Sequence, residues 1–177
     1  SASSINPEKL LWLNQHYLQN TDSEILSNSL ALIFNEMRIL IEDGPELKDI
    51  LDVQKHRSET LKDMAEQSHF FYVDFNEYDA NSAKKHLRPV ILEPLIALRE
   101  SLADIQDWTN EDIKEAIEVV AEKFEIKMGK LAQPLRVAVT GAGISPSIDD
   151  TLRLLGQEKT LNRLQKGIEF IENRATS

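Results

Sequence analysis

Cysteine is absent from the 177 residues, which excludes a disulfide framework and any thiolate metal site and agrees with a cytoplasmic origin. No apolar run approaches the roughly 20 residues that cross a bilayer, and no signal peptide is visible. Ser1 to Ser4 are small and polar, so residues 1–5 read as a leader or a cloning remnant. Internal repeats and low-complexity tracts are also missing. What remains is 41% hydrophobic and 28% charged, the balance of a soluble globular protein long enough for one core or two small lobes.

Positive charge is scarce, with 20 Lys and Arg against 30 Asp and Glu, a net charge of −10. The deficit is uneven: residues 1–80 carry −9, residues 81–125 carry −4, and residues 126–177 carry +3. A protein can bind RNA through one basic region while repelling it elsewhere. The alternative is a solvated surface with no partner.

Strand-like alternation is nearly absent, and helical spacing dominates. Asn6-Pro7 supplies a cap and a first-turn proline, followed by Leu10, Leu11, Leu13, Tyr17 and Leu18 on one face. Thr21 to Ser23 open a second helix whose repeat of Ile25, Leu26, Leu30, Ile33, Phe34, Met37, Leu40 and Ile41 runs to Gly44-Pro45. Leu47 to Ala65 continue the pattern, and Phe70 to Phe75 read as an extended aromatic linker. Pro89 opens a helix through Leu102, and Thr109 with Asp112 is a weak capping box for Ile113 to Phe124. Ser145 to Ser147 open Ile148 to Leu155, Gly156 closes it, and a last helix runs from about Glu158 to Ile171. The expected fold is all-α: a proximal lobe at residues 6–80 and a distal lobe at residues 81–177, joined near residues 76–84.

Residues able to do chemistry are not arranged to do it. His16, His56, His69 and His86 share no helix turn and no acidic partner at metal-ligand spacing. Pairs such as Glu42-Asp43 and Asp149-Asp150 arise often in an acidic chain, and Asp149 and Asp150 fall in a first helical turn where their charge suits the dipole. Lys127-Met128-Gly129-Lys130 echoes the KMSKS loop of class I aminoacyl-tRNA synthetases, but no HIGH-type signature accompanies it.

The stretch from Arg136 to Ser145, RVAVTGAGIS, resembles the glycine loop with which sirtuin deacylases hold NAD. That reading requires a parallel sheet of βα units to aim backbone N–H groups at a pyrophosphate. Strand-like runs upstream are almost lacking, Ile148 to Arg153 replaces the GIPDFR-like continuation, and too little chain follows for a catalytic core.

A second resemblance is longer and ordered. Lys9-Leu10-Leu11-Trp12-Leu13-Asn14-Gln15-His16-Tyr17, Arg57 to Ala65 (RSETLKDMA), Phe70 to Phe75 and Lys84 to Pro89 (KKHLRP) are followed by Asp107-Trp108-Thr109, then by Met128-Gly129-Lys130 with Pro134 to Gly141, Ser145-Pro146 and Leu155-Gly156-Gln157-Glu158. In this order they resemble the anticodon-binding half of bacterial glutamyl-tRNA synthetases across nearly all of residues 6–172. The resemblance implies a helical module that recognises the tRNA(Glu) anticodon loop, without the catalytic half to which ATP and Mg belong. It implies a monomer joined to its own N-terminal catalytic domain, cytoplasmic, with no cofactor in this chain and no activity alone. By position in the family pattern, Arg57 would read the third anticodon base. Arg136, Ser145, Pro146 and Ile148 would surround the first two, with Pro146 and Ile148 giving apolar contact and Ser145 a hydrogen bond. Some family members have threonine and leucine at the positions of Ser145 and Ile148. A helical protein-interaction domain is the reading from another class.

Overall fold

Helix follows from local chemistry almost everywhere in the computed structural model, which describes residues 6–176. The leader expected at residues 1–5 lies outside them. Ten α-helices, two short 3-10 turns and no strand occur among the described residues. The fold is all-α, and Arg136 to Thr140 are helical despite their β-branched valines. The chain divides into two compact units, Ser1–Asp74 and Phe75–Ser177.

In the N-terminal unit, α1 (Pro7–Asn20) starts at Asn6, whose side chain accepts from the Glu8 N–H at 2.9 Å. Its apolar residues stay largely exposed: only Leu18 is buried, while Leu10, Leu11, Trp12, Leu13 and Tyr17 face water. Asp22 caps α2 (Ser23–Glu36), which buries Leu26, Leu30 and Phe34 against α3 (Leu47–Gln54) and α4 (Leu61–Gln67). Thr60 caps α4 through the Asp63 N–H at 3.1 Å.

The apolar repeat predicts that α2 continues towards Gly44, yet it stops at Glu36. Arg38 takes a left-handed φ of 59°. Its N–H donates to Asn35 O at 3.0 Å and the Ile39 N–H to Phe34 O at 2.9 Å, the pairing that ends a helix in a Schellman turn. Burying Ile39 on the far side of that turn holds it without glycine. The aromatic run is likewise not a plain extended linker: His69–Phe71 form a 3-10 turn, Phe71 is fully buried, and the Tyr72 hydroxyl donates to Pro45 O at 2.7 Å.

In the C-terminal unit, Asp79 caps α5 (Ala80–His86), and a 3-10 turn at Pro89–Ile91 leads into α6 (Leu92–Ala103). Thr109 caps α7 (Asn110–Lys123), accepting from the Asp112 N–H at 3.2 Å. Then come α8 (Met128–Thr140), α9 (Ile148–Leu155) and α10 (Gln157–Thr176), the last running past the expected Ile171. Leu95, Leu98, Leu102, Ile117, Leu135, Val139, Leu152, Leu164 and Ile171 fill the core between them. α10 packs on α6 and α8. At its crossing with α8, Gly167 is required by space: a Cβ there would lie 2.8 Å from that of Ala138. Phe75 and Tyr78 belong to this unit, where their rings meet edge to face and Tyr78 meets Phe170 in the same way. The residues from Phe75 to Ala80, assigned to the proximal lobe by sequence, thus group with the distal one.

Candidate nucleic-acid interface

The stretch from Arg136 to Ile148 is a helix end and a tight loop rather than a strand and a dinucleotide turn. α8 is buried along most of its length, with Leu131, Leu135, Val137, Ala138 and Val139 inside. Its last residues therefore have little freedom to shift. Gly141 closes it with a φ of 84°, a left-handed position, and donates to Val137 O at 2.8 Å. A Cβ on Gly141 would press on the Phe75 ring at 3.2 Å. The Thr140 hydroxyl lies 2.8 Å from the carbonyls of both Arg136 and Ala142 and accepts from the Ala142 N–H.

The loop is braced by side chains from its own helix. Gln133 Nε2 donates to Gly143 O at 2.8 Å, and Gln133 Oε1 accepts from Arg136 Nη1. Arg136 Nε donates to Ser145 Oγ at 2.8 Å. Ser145 Oγ also lies 3.1 Å from Thr151 Oγ1, which donates to Pro146 O at 3.0 Å. The half-buried guanidinium is thereby held by its Nε edge and one terminal nitrogen. Behind the loop, the buried Arg163 donates to Val139 O at 2.8 Å with its guanidinium carbon 5.1 Å from the Phe75 ring centre.

Ser145, Pro146 and Ile148 therefore share one loop and helix start, to which Arg136 reaches from α8. Arg136 and Ser145 are directly bonded; Pro146 and Ile148 are buried, Ile148 at 6% exposure. Arg57 lies in the N-terminal unit, in the turn after α3, with its N–H on Gln54 O at 3.0 Å. Its side chain is exposed and makes no hydrogen bond or ion pair among the described residues. Sequence reading missed Gln133, which binds both Arg136 and the loop carbonyl of Gly143. Its place three residues before Arg136 on a helix was the available signal. It also missed Ile144, 82% exposed at the loop tip.

Another polar group braces the start of α9. Asn110 Nδ2 donates to Asp149 at 3.0 Å and to Asp150 at 2.7 Å, and Asp150 pairs with Arg153 at 3.4 Å. Burial pushes the Asp149 carboxyl up, but hydrogen bonds from Asn110, Ser147 and the first-turn backbone outweigh it and leave it below the usual range. Trp108 Nε1 donates to Leu152 O at 2.8 Å, tying α9 to the approach of α7. His16, His56 and His69 are exposed and His86 half-buried. No group of three His, Cys, Asp or Glu stands ready for a metal among the described residues, and none of their helices is long and apolar enough to cross a membrane.

Comparison with known proteins agrees with the all-helical fold. A family profile described as anticodon binding domain matches residues 17–168. The chain is 47% identical over 176 residues to a glutamate–tRNA ligase of Legionella pneumophila strain Paris, covering 99% of this chain and 37% of that protein. It is 48% identical over 175 residues to the glutamate–tRNA ligase of Legionella pneumophila subsp. pneumophila strain Philadelphia 1, with the same coverage. The chain thus spans little more than a third of the curated relatives it matches. Among solved structures, a glutamate tRNA ligase from Elizabethkingia meningosepticum CCUG26117, in complex with its amino acid, superposes with a TM-score of 0.85 at 29% identity, over 97% of this chain and 34% of that one. The glutamate-tRNA synthetase of Elizabethkingia anophelis gives 0.79 at 29% identity, over 96% and 33%. With helices throughout its described residues and the profile spanning most of its length, the chain belongs to the anticodon binding domain family.

Proposed function

We propose that this chain is the part of a glutamate–tRNA ligase that recognises the anticodon loop of tRNA(Glu), supplying specificity to aminoacylation and no chemistry of its own. Unpaired loop bases suit such a module, because they can be splayed out, stacked and read on their polar edges. The observation that carries the proposal is the Arg136 guanidinium, held by Ser145 and Gln133 at the end of a buried helix. A planar fork fixed in this way offers donors in set directions at little entropic cost. In the C-terminal unit, Arg136 and Ser145 receive the first two anticodon bases, and the buried Pro146 and Ile148 form the floor beneath them. In the N-terminal unit, the exposed Arg57 reads the third base. The open apolar face of α1, with Trp12 at 59% exposure, supports attachment of the chain to the catalytic half of the enzyme. ATP and Mg belong to that half; a cytoplasmic monomer is the state we assign.

The test is binding of the chain to anticodon stem-loops that end in C or G at the third base, at one fixed salt concentration because affinity depends steeply on salt. Wild type prefers C, and Arg57→Gln shrinks that preference by on the order of 1 to 3 kcal/mol, roughly 5- to 150-fold. An unchanged ratio removes Arg57 from recognition; no binding by wild type removes the proposal.

A further inference from the structure

α5 and α8 lie side by side and run in opposite directions. At one end, the Asp79 N–H that precedes α5 donates to Gly141 O, just past α8, at 2.8 Å. Nearby, Ser82 Oγ is 3.3 Å from where a Cβ on Gly143 would sit. At the other end, the last turn of α5 carries Lys84, Lys85 and His86, and the start of α8 carries Lys127 and Lys130. Packed in this way, the two helices bring the end of α5 beside the start of α8, where the His86 ring is held below its ordinary pKa by burial first and then by the charges of Lys85 and Lys130.

All four lysines are exposed, and none has an ion pair among the described residues, as holds for other surface lysines of the chain; two further features set this cluster apart. Lys127 and Lys130 stand at the N-cap and in the first turn of α8, the positive end of the helix dipole, where cations weaken a helix. Folding therefore gives no reason for them. Finally, Lys130, Gln133 and Arg136 follow one another at steps of three along α8, adjacent positions on a helix surface. At about 1.5 Å per residue, Lys130 is about 9 Å along the axis from Arg136.

We propose that Lys85, Lys127 and Lys130, with Lys84 beside them, form a phosphate-binding strip that holds the RNA backbone next to the Arg136 loop. This rests on the anticodon-binding reading and deepens it: Arg136 reads bases, whereas the strip positions the strand and carries no sequence information.

The experiment compares wild type, the double variant Lys85→Ala/Lys130→Ala, the charge-keeping Lys130→Arg and the control Lys114→Ala on α7. Each is titrated with the C-ending and G-ending anticodon stem-loops between about 50 and 200 mM salt. The slope of log affinity against log salt becomes shallower in the double variant by about 1.4, two contacts at about 0.7 each for single-stranded RNA. The preference for C over G is unchanged, and Lys130→Arg and Lys114→Ala keep the wild-type slope. A double variant with the wild-type slope, a comparable loss of slope in Lys114→Ala, or a loss of base preference overturns the strip while leaving the anticodon reading intact. Wild-type protein that binds neither stem-loop overturns both.

Discussion

Single side chains here act mostly by closing hydrogen bonds that the backbone leaves open. Tyr72 is the clearest case in the N-terminal unit: its hydroxyl donates to Pro45 O at 2.7 Å. Burial first, then the charges of Glu46 and Asp49, hold its phenol well above the ordinary value. The folded pKa exceeds the unfolded one, so this stabilisation is complete below about pH 10 and is lost as pH rises beyond it. Tyr72→Phe should cost about 1 kcal/mol at neutral pH and flatten the loss of stability above pH 10. Denaturant unfolding of wild type and variant across pH 8 to 11 measures both effects; parallel curves would mean that Tyr72 does not carry that pH dependence.

Helix ends were the least legible elements, because two of them are set by residues with no turn preference of their own. Arg38 and Glu125 occupy left-handed positions with φ of 59° and 55°. In each case the next residue, Ile39 or Ile126, closes the turn onto Phe34 O or Ala121 O. A non-glycine residue pays a steric cost there that glycine avoids. Glu125→Gly should therefore stabilise the protein by about 0.5 to 1 kcal/mol, the steric relief exceeding the added freedom of the unfolded chain. A lower melting temperature for the variant would contradict this. Gly141→Ala has the opposite sign, costing about 1 to 2 kcal/mol from the left-handed φ alone and more from pressing the Phe75 ring at 3.2 Å. It should also weaken RNA binding in the same assay by displacing the loop that carries Ser145. Caps read from the sequence at Asn6, Asp22 and Thr109 are visible in the structure as hydrogen bonds to first-turn N–H groups, since such bonds are local; the caps at Thr60 and Asp79 emerged only from the structure.

At the scale of the whole molecule, the chain is two helical units, and its relatives are nearly three times longer, since it covers 37% of their length. The proposed division of labour gives a sharp outcome. Purified chain supplied with ATP, Mg and glutamate should show no glutamate-dependent pyrophosphate exchange, and it should release no nicotinamide from NAD with an acylated lysine peptide. Exchange activity would place chemistry in this part of the enzyme; nicotinamide release would revive the glycine-loop reading.

The sequence by itself determined the all-α class, most helix starts, and the family, because apolar spacing at helical period and capping residues act over a few positions and motif order survives without coordinates. It also brought forward Arg136, Ser145, Pro146 and Ile148 as a group. Only the tertiary structure decided that RVAVTGAGIS ends a helix, since five of its residues are buried among α5, α7 and α10 neighbours and helical hydrogen bonds satisfy their backbone. It alone turned Phe71 into core and stopped α2 at Glu36. It also separated the bonded Arg136 from the buried Pro146 and Ile148. Burial, and the antiparallel approach of α5 to α8, depend on partners distant in the chain, which no local pattern records.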